Sequence, residues 1–113
     1  MSRHMQIDIR LVPFYEKPFK KLFPRIASLL REHEYTEPLE RDVSLYDLVD
    51  FLADMARGPS IPADVKARLR PHVDRLEAIK ETAREQLLSR ELNQLDQSLY
   101  ALEDACDELE RNL

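Results

Sequence analysis

Two histidines come nearest to a metal-ligand pattern in this sequence. His33 and Glu37 have the four-residue spacing of two ligands on one helix face, but the zinc-peptidase motif needs a histidine at both positions. Pro38 follows Glu37 directly, which predicts that the helix is ending there. His72 has no cysteine or glutamate at a ligand spacing, and no Glu-x-x-His pair of the di-iron bundles occurs. We therefore expect no metal and no cofactor.

Cys106 is the single cysteine of the chain, which excludes an internal disulfide and favours a reducing compartment. A reactive thiol needs an electropositive environment, whereas the sequence neighbours Asp104, Asp107 and Glu108 are acidic. We expect Cys106 to be a small apolar core residue.

The motifs of nucleotide binding and covalent catalysis are missing from the sequence. One glycine leaves no glycine-rich phosphate loop, and neither a nucleophile elbow nor a Cys–His dyad is present. The numerous Asp and Glu residues are typical of solvated helix faces. We predict that the protein is not an enzyme.

Length and composition predict the elements that carry these side chains. The chain has 113 residues, enough for one domain, and 35% of them are charged. A single glycine cannot supply the turns of a β-sandwich or barrel. No apolar run approaches the roughly 18 residues of a membrane span, and no signal peptide is recognisable. We expect an all-α cytoplasmic bundle of three short helices, a long C-terminal helix and an extended N-terminal arm.

The arm is expected to cover residues 1–13, with residues 1–4 vector-derived and Met5 as the natural start. Ile7, Ile9 and Leu11 alternate with polar residues, which is the period of a strand. Because the sequence offers no second strand for pairing, an extended arm is favoured. Residues 14–113 then form the single helical domain.

Prolines, a cap and a glycine predict the boundaries of the first helices. The first helix begins near Pro18 or Pro24, because proline suits a first helical turn, and residues 35–42 are expected to form a loop. Ser44 caps the second helix through the backbone of Asp47, and Gly58 ends it.

After a third short helix at residues 60–71, no glycine or proline interrupts the last 42 residues. A continuous helix over residues 72–113 would be about 63 Å long, whereas a compact chain of this length is about 35 Å across. Two apolar stripes on that helix lie about 120° apart. We favour a continuous helix that projects from the domain, with a break near residues 89–93 as the alternative.

Eight residues of the C-terminal half form a heptad pattern, which we call the leucine seam. Its members are Leu88, Leu92, Leu95, Leu99, Leu102, Cys106, Leu109 and Leu113. Burying them would contribute on the order of 10 kcal/mol before entropy is subtracted. We predict a homodimer, parallel or antiparallel, through this seam; the alternative is an intramolecular core.

Residues 14–25 form an aromatic–basic segment in which four aromatic residues alternate with three lysines and an arginine. The aromatic side chains could cap the bundle while the lysines stay in water, or the segment could dock onto a partner protein; a membrane surface or nucleic acid is a further alternative. The candidate partner-binding residues are Phe14, Tyr15, Phe19, Lys20, Phe23, Tyr46 and Phe51.

Charge is distributed unevenly along the chain, whose formal net charge is −5. Residues 3–31 contain seven basic and two acidic residues, whereas residues 91–113 contain seven acidic residues and one arginine. We expect the basic front and the acidic tail to lie near each other, within one molecule or across a dimer. An acidic chain argues against nucleic acid as the main partner.

These features favour a non-enzymatic interaction module, a small regulator, inhibitor or adaptor that self-associates through the leucine seam and binds another protein. One alternative is an acidic decoy or immunity-type inhibitor that places acidic side chains of the tail in a partner's basic cleft; these are Asp104, Asp107, Glu108 and Glu110. Another is a bundle that binds a metal or a small molecule through His33 or His72.

Overall fold

The computed structural model describes residues 10–13 and 15–113, and within them all regular structure is helical. The helices are α1 Phe19–Leu22, α2 Pro24–Glu32, α3 Glu37–Glu40, α4 Leu45–Arg57, α5 Ala63–Leu88 and α6 Leu92–Asn112. The all-α class is confirmed. Residues 10–13 have no regular secondary structure, and the alternating stretch that begins at Gln6 lies mostly outside the described residues.

Prolines lie at the start of four of these helices, α1, α2, α3 and α5, as their place at or near a first turn predicts. Pro18 is the N-cap of α1, and Pro24 is the first residue of α2. The expectation of a plain loop over residues 35–42 is wrong, because α3 forms one helical turn there, with Pro38 in its first turn. Proline in that position starts a helix instead of breaking it.

The cap of α4 is confirmed, since the Ser44 hydroxyl accepts a hydrogen bond from the Asp47 N–H at 3.1 Å. The helix ends at Arg57, and Gly58 has a φ of −64°. Gly58 therefore does not use the left-handed conformation that favours glycine after a helix, and Pro59 prevents the helix from continuing.

Helix α5 merges the expected third helix with the first half of the long C-terminal helix, because it runs through Pro71 without a break. Pro71 has no N–H to donate to the carbonyl of Ala67. Both residues are exposed, so water can hydrate the free carbonyl and the helix persists.

The continuous helix over residues 72–113 is wrong, and the alternative of a break near residues 89–93 is right. The chain turns at residues 89–91, where Arg90 has a φ of +57°. The N–H of Glu91 donates to the carbonyl of Gln86 at 2.9 Å, and the N–H of Arg90 donates to Leu87 at 3.2 Å. These two bonds are those of a Schellman motif, which satisfies the last carbonyls of α5 and lets α6 fold back along it.

The core lies where the α5–α6 hairpin is covered by α4 and α2. Its fully buried side chains come from all four helices and include Ile26, Leu30, Leu48, Leu52, Met55, Leu69, Leu76, Leu102 and Leu109. The molecule measures 51 × 26 × 26 Å, and α5, about 39 Å long, is the longest helix of the described residues. No helix in the described part of the chain is long and apolar enough to cross a membrane.

Candidate partner-binding groove

The leucine seam is divided between the interior and the surface. Four members are buried within the chain's own fold: Leu95, Leu102, Cys106 and Leu109. Leu99 and Leu113 are half-buried, whereas Leu88 is 69% exposed and Leu92 54% exposed. The C-terminal part of the seam is therefore intramolecular core, because the turn at residues 89–91 places it against α5, α4 and α2. The homodimer stays a prediction. Leu88 and Leu92 are the two seam residues that remain exposed and could contact a second molecule.

The aromatic–basic segment likewise contains both buried and exposed side chains. Phe19 and Phe23, two of the candidate partner-binding residues, are buried, with ring centroids 5.3 Å apart. They cap the bundle, and of the two only Phe23 lines the groove described below. Lys17, Lys20 and Lys21 are exposed. Phe14 lies outside the described residues.

Tyr15 holds the start of this segment against the beginning of α4. Its hydroxyl donates a hydrogen bond to the carbonyl of Val43, and its ring meets that of Phe19 edge to face at 6.0 Å. Burial is the main cause that raises the pKa of Tyr15 to about 12. The side chain is half-buried, so one face of it remains accessible.

Tyr46 and Phe51, the candidates on α4, are both half-buried. The ammonium of Lys80 lies 4.3 Å from the Tyr46 ring centre and 2.9 Å from a carboxylate oxygen of Asp50. Burial raises the pKa of Tyr46, while the nearby Arg84 lowers it. Of these two residues, only Tyr46 lines the groove described next.

An open groove of about 540 Å³ lies between the N-terminal segment, the start of α4 and the outer face of α6. We call it the α4–α6 groove. Its apolar lining comes from four segments of the chain and comprises Leu11, Val12, Pro13, Tyr15, Leu22, Phe23, Leu45, Tyr46, Leu99 and Leu102. Phe23 and Leu102 are buried and form its floor, while Val12 and Leu22 remain 76% and 39% exposed.

Acidic side chains border this apolar lining. Glu103 and Asp107 of α6 lie along one wall, and Glu16 lies in the N-terminal segment. Burial raises the pKa of Glu103, and the carboxylates of Asp107, Asp104 and Asp96 raise it further. Within residues 10–13 and 15–113, none of these α6 acids forms a salt bridge. The groove therefore combines exposed apolar surface with negative charge that the described chain does not neutralise.

Two other acids of the tail, Glu108 and Glu110, form contacts within the molecule. The Glu110 carboxylate accepts the backbone N–H of Arg25 at 2.6 Å and that of Ile26 at 2.9 Å. These are the second and third residues of α2, so Glu110 caps that helix from the other end of the chain. Glu108 pairs with Arg75 of α5. The basic front and the acidic tail thus meet within one molecule.

A second cleft of about 430 Å³ lies between α2 and the beginning of α5, and His33, Arg25 and Arg68 line it together with Asp64 and Glu32. His72 lies elsewhere, half-buried on α5. The described residues contain no group of three or more His, Cys, Asp or Glu side chains that could hold a metal.

Cys106 is fully buried, and burial raises the pKa of its thiol to about 12, with Asp107 and Glu103 adding to the shift. Its expected place in the core is confirmed.

Sequence reasoning missed Leu22, Leu45 and the role of Leu99 in the groove. A signal for the α6 wall was present, because Asp96 and Glu103 occupy successive e positions beside the seam. The rest of the groove comes from segments far apart in the chain, and no local pattern joins them. Comparisons with known protein families, with curated proteins and with solved structures found no match to this chain.

Proposed function

We propose that this protein is a non-enzymatic interaction module that binds a segment of a partner protein in the α4–α6 groove. One observation carries the proposal: exposed apolar side chains line an open groove whose acidic border has no cationic partner in the described chain. Its volume, about 540 Å³, lies in the range of ligand sites, about 300–1,000 Å³.

The shape of the site favours a chain segment over a small molecule. The exposed apolar surface of α6 extends beyond the groove lining. Tyr100, next to Leu99 in the chain, is 61% exposed, and Leu92, nearer the hairpin tip, is 54% exposed. A small ligand would leave these residues in water, whereas an extended partner could cover the whole strip.

The acidic-decoy alternative is less favoured by the contacts of the tail. Glu108 and Glu110 are engaged with Arg75 and with the backbone of α2. Asp104 and Asp107 form no salt bridge with the described part of the chain. They lie beside or on the border of an apolar groove, which suits a bound segment better than insertion into a basic cleft.

The test is a selection of displayed random peptides against the full chain, followed by mapping of the selected peptides through amide chemical-shift changes. We expect changes clustered around Leu22, Leu45 and Leu99. The variant Leu22→Gln should lose binding at least tenfold, because a polar side chain replaces an exposed apolar contact in the groove.

Leu88→Gln is the matched control, since it makes the same substitution at an exposed leucine of the hairpin tip. It should bind the selected peptides like the parent protein. A selection without binders, or binders that Leu22→Gln leaves unaffected, would overturn the proposal.

A further inference from the structure

We infer that the occupant of the α4–α6 groove is a short amphipathic helix with an apolar face and Lys or Arg residues along its edge. This inference rests on the proposed function and adds the chemistry of the partner. It is argued from the geometry of the α6 wall, from its charge and from the apolar lining.

The α6 side of the groove belongs to one continuous helix face. Leu99, Glu103 and Asp107 line the groove, and Leu92 and Asp96 continue the same face toward the hairpin tip. Leu92, Asp96, Leu99, Glu103 and Asp107 follow each other at intervals of four, three, four and four residues. At about 100° per residue they lie within an arc of about 80°, and they extend over about 22 Å. A partner helix of about 14 residues has the same length.

The acids on this face have a helical spacing that a second helix can match. Asp96 and Glu103 are seven residues apart, and Asp107 follows after four more, which corresponds to rises of about 10 and 6 Å. A helix lying alongside α6 presents basic residues at the same rises when they are seven and four positions apart. Glu16 of the N-terminal segment also lines the groove and adds a further negative charge.

The apolar lining supplies the second half of the recognition. Leu22, Leu45 and Leu99 line the groove together with the buried Phe23 and Leu102. An apolar stripe at i, i+3, i+4 and i+7 on the partner would enter this space, as in other helix-in-groove complexes. Apolar burial then supplies affinity, and the acidic border selects basic partners and excludes acidic ones.

The experiment measures fluorescence anisotropy of three labelled peptides of about 14 residues with the full chain. Each has the same leucine stripe, with Lys, Gln or Glu at the edge positions. We expect the Lys peptide to bind at least about tenfold tighter than the Gln peptide, the Glu peptide not to bind, and the Lys peptide to weaken as salt is raised. A proline in the middle of the Lys peptide should abolish binding, because it prevents the helix.

The double variant Glu103→Gln, Asp107→Asn should reduce binding of the Lys peptide at least about fivefold. The matched control is Asp54→Asn, Glu85→Gln, which makes the same charge change at exposed positions outside the groove and should bind like the parent protein.

Several outcomes would overturn the inference. These are equal binding of the Lys and Gln peptides, equal loss in the two double variants, binding that survives the central proline, and displacement of the Lys peptide by a synthetic peptide of residues 1–9. If displayed peptides still select the groove in these cases, the proposed function stands without a basic helix as its partner. If nothing binds the groove, both fail.

Discussion

At the residue scale, Glu110 joins the two ends of the chain through a single carboxylate. It accepts the two backbone N–H groups that open α2 behind Pro24. We expect Glu110→Ala to lower the free energy of unfolding by about 1–2 kcal/mol, as the loss of a helix cap does. Urea denaturation measures this change.

The control for Glu110 is Asp104→Ala, which removes an exposed acid of the same helix and should change stability by less than about 0.5 kcal/mol. Equal effects of the two substitutions would contradict the capping role of Glu110.

Tyr15 and Cys106 make the protein sensitive to alkali. The pKa of each is raised to about 12 in the folded chain, from 10.0 for tyrosine and 9.0 for cysteine. Above pH 9 the unfolded chain loses these protons first and the folded chain retains them, so stability falls as pH rises from about 9 toward 12. We expect the melting temperature to decline in this window and Cys106→Ala to make the decline shallower.

A thiol reagent provides an independent check on Cys106. Because the thiol is buried and protonated at pH 8, it should react only at the rate of opening of the fold. Immediate reaction in the native protein would contradict this placement.

At the element scale, the turn between α5 and α6 depends on an arginine in the left-handed conformation. The same motif ends α2, where Glu34 has a φ of +66° and the Tyr35 N–H donates to Leu30 at 2.8 Å. Non-glycine residues adopt this conformation at a cost of about 1–2 kcal/mol. Neither position carries the glycine or asparagine that would predict such a turn from sequence.

We expect Arg90→Gly to raise the free energy of unfolding by about 0.5–1 kcal/mol, because glycine removes the strain and only part of the gain is lost to its greater freedom in the unfolded chain. Thermal and urea unfolding measure the change. Gln97→Gly, at an exposed position inside α6, is the comparison and should destabilise by about 1 kcal/mol. A destabilising Arg90→Gly would show that the arginine side chain contributes more than the backbone strain costs.

At the scale of the whole molecule, alanine substitutions at the two ends of the leucine seam should differ sharply in their effect on the free energy of unfolding. Leu102→Ala and Leu109→Ala remove side chains that are fully buried among three helices, so each should cost about 2–5 kcal/mol. Leu88→Ala and Leu92→Ala change exposed residues of the hairpin tip and should each cost less than about 0.5 kcal/mol.

The same variants locate any self-association when light scattering is combined with size-exclusion chromatography. A homodimer through the accessible part of the seam should weaken in the Leu88→Ala, Leu92→Ala double variant. A dimer unchanged by both substitutions would place its interface elsewhere.

Several parts of the fold and of the site follow from neighbouring residues alone. The Ser44 cap, the helix starts at Pro18 and Pro24, and the core position of Cys106 depend on hydrogen bonds, proline geometry and periodicity within a few residues. The acids of the α6 wall could also be found, because their spacing fixes one helix face.

Tertiary structure decided what those elements face. The left-handed Arg90 reverses the chain, so most of the seam meets α5, α4 and α2 instead of a second molecule. The groove exists only because residues 11–13, 15–16, 22–23, 44–46 and 99–107 meet after that reversal. Helix periodicity specifies which residues share a face, whereas the surface that covers a face depends on contacts between residues distant in the chain, which local patterns do not contain.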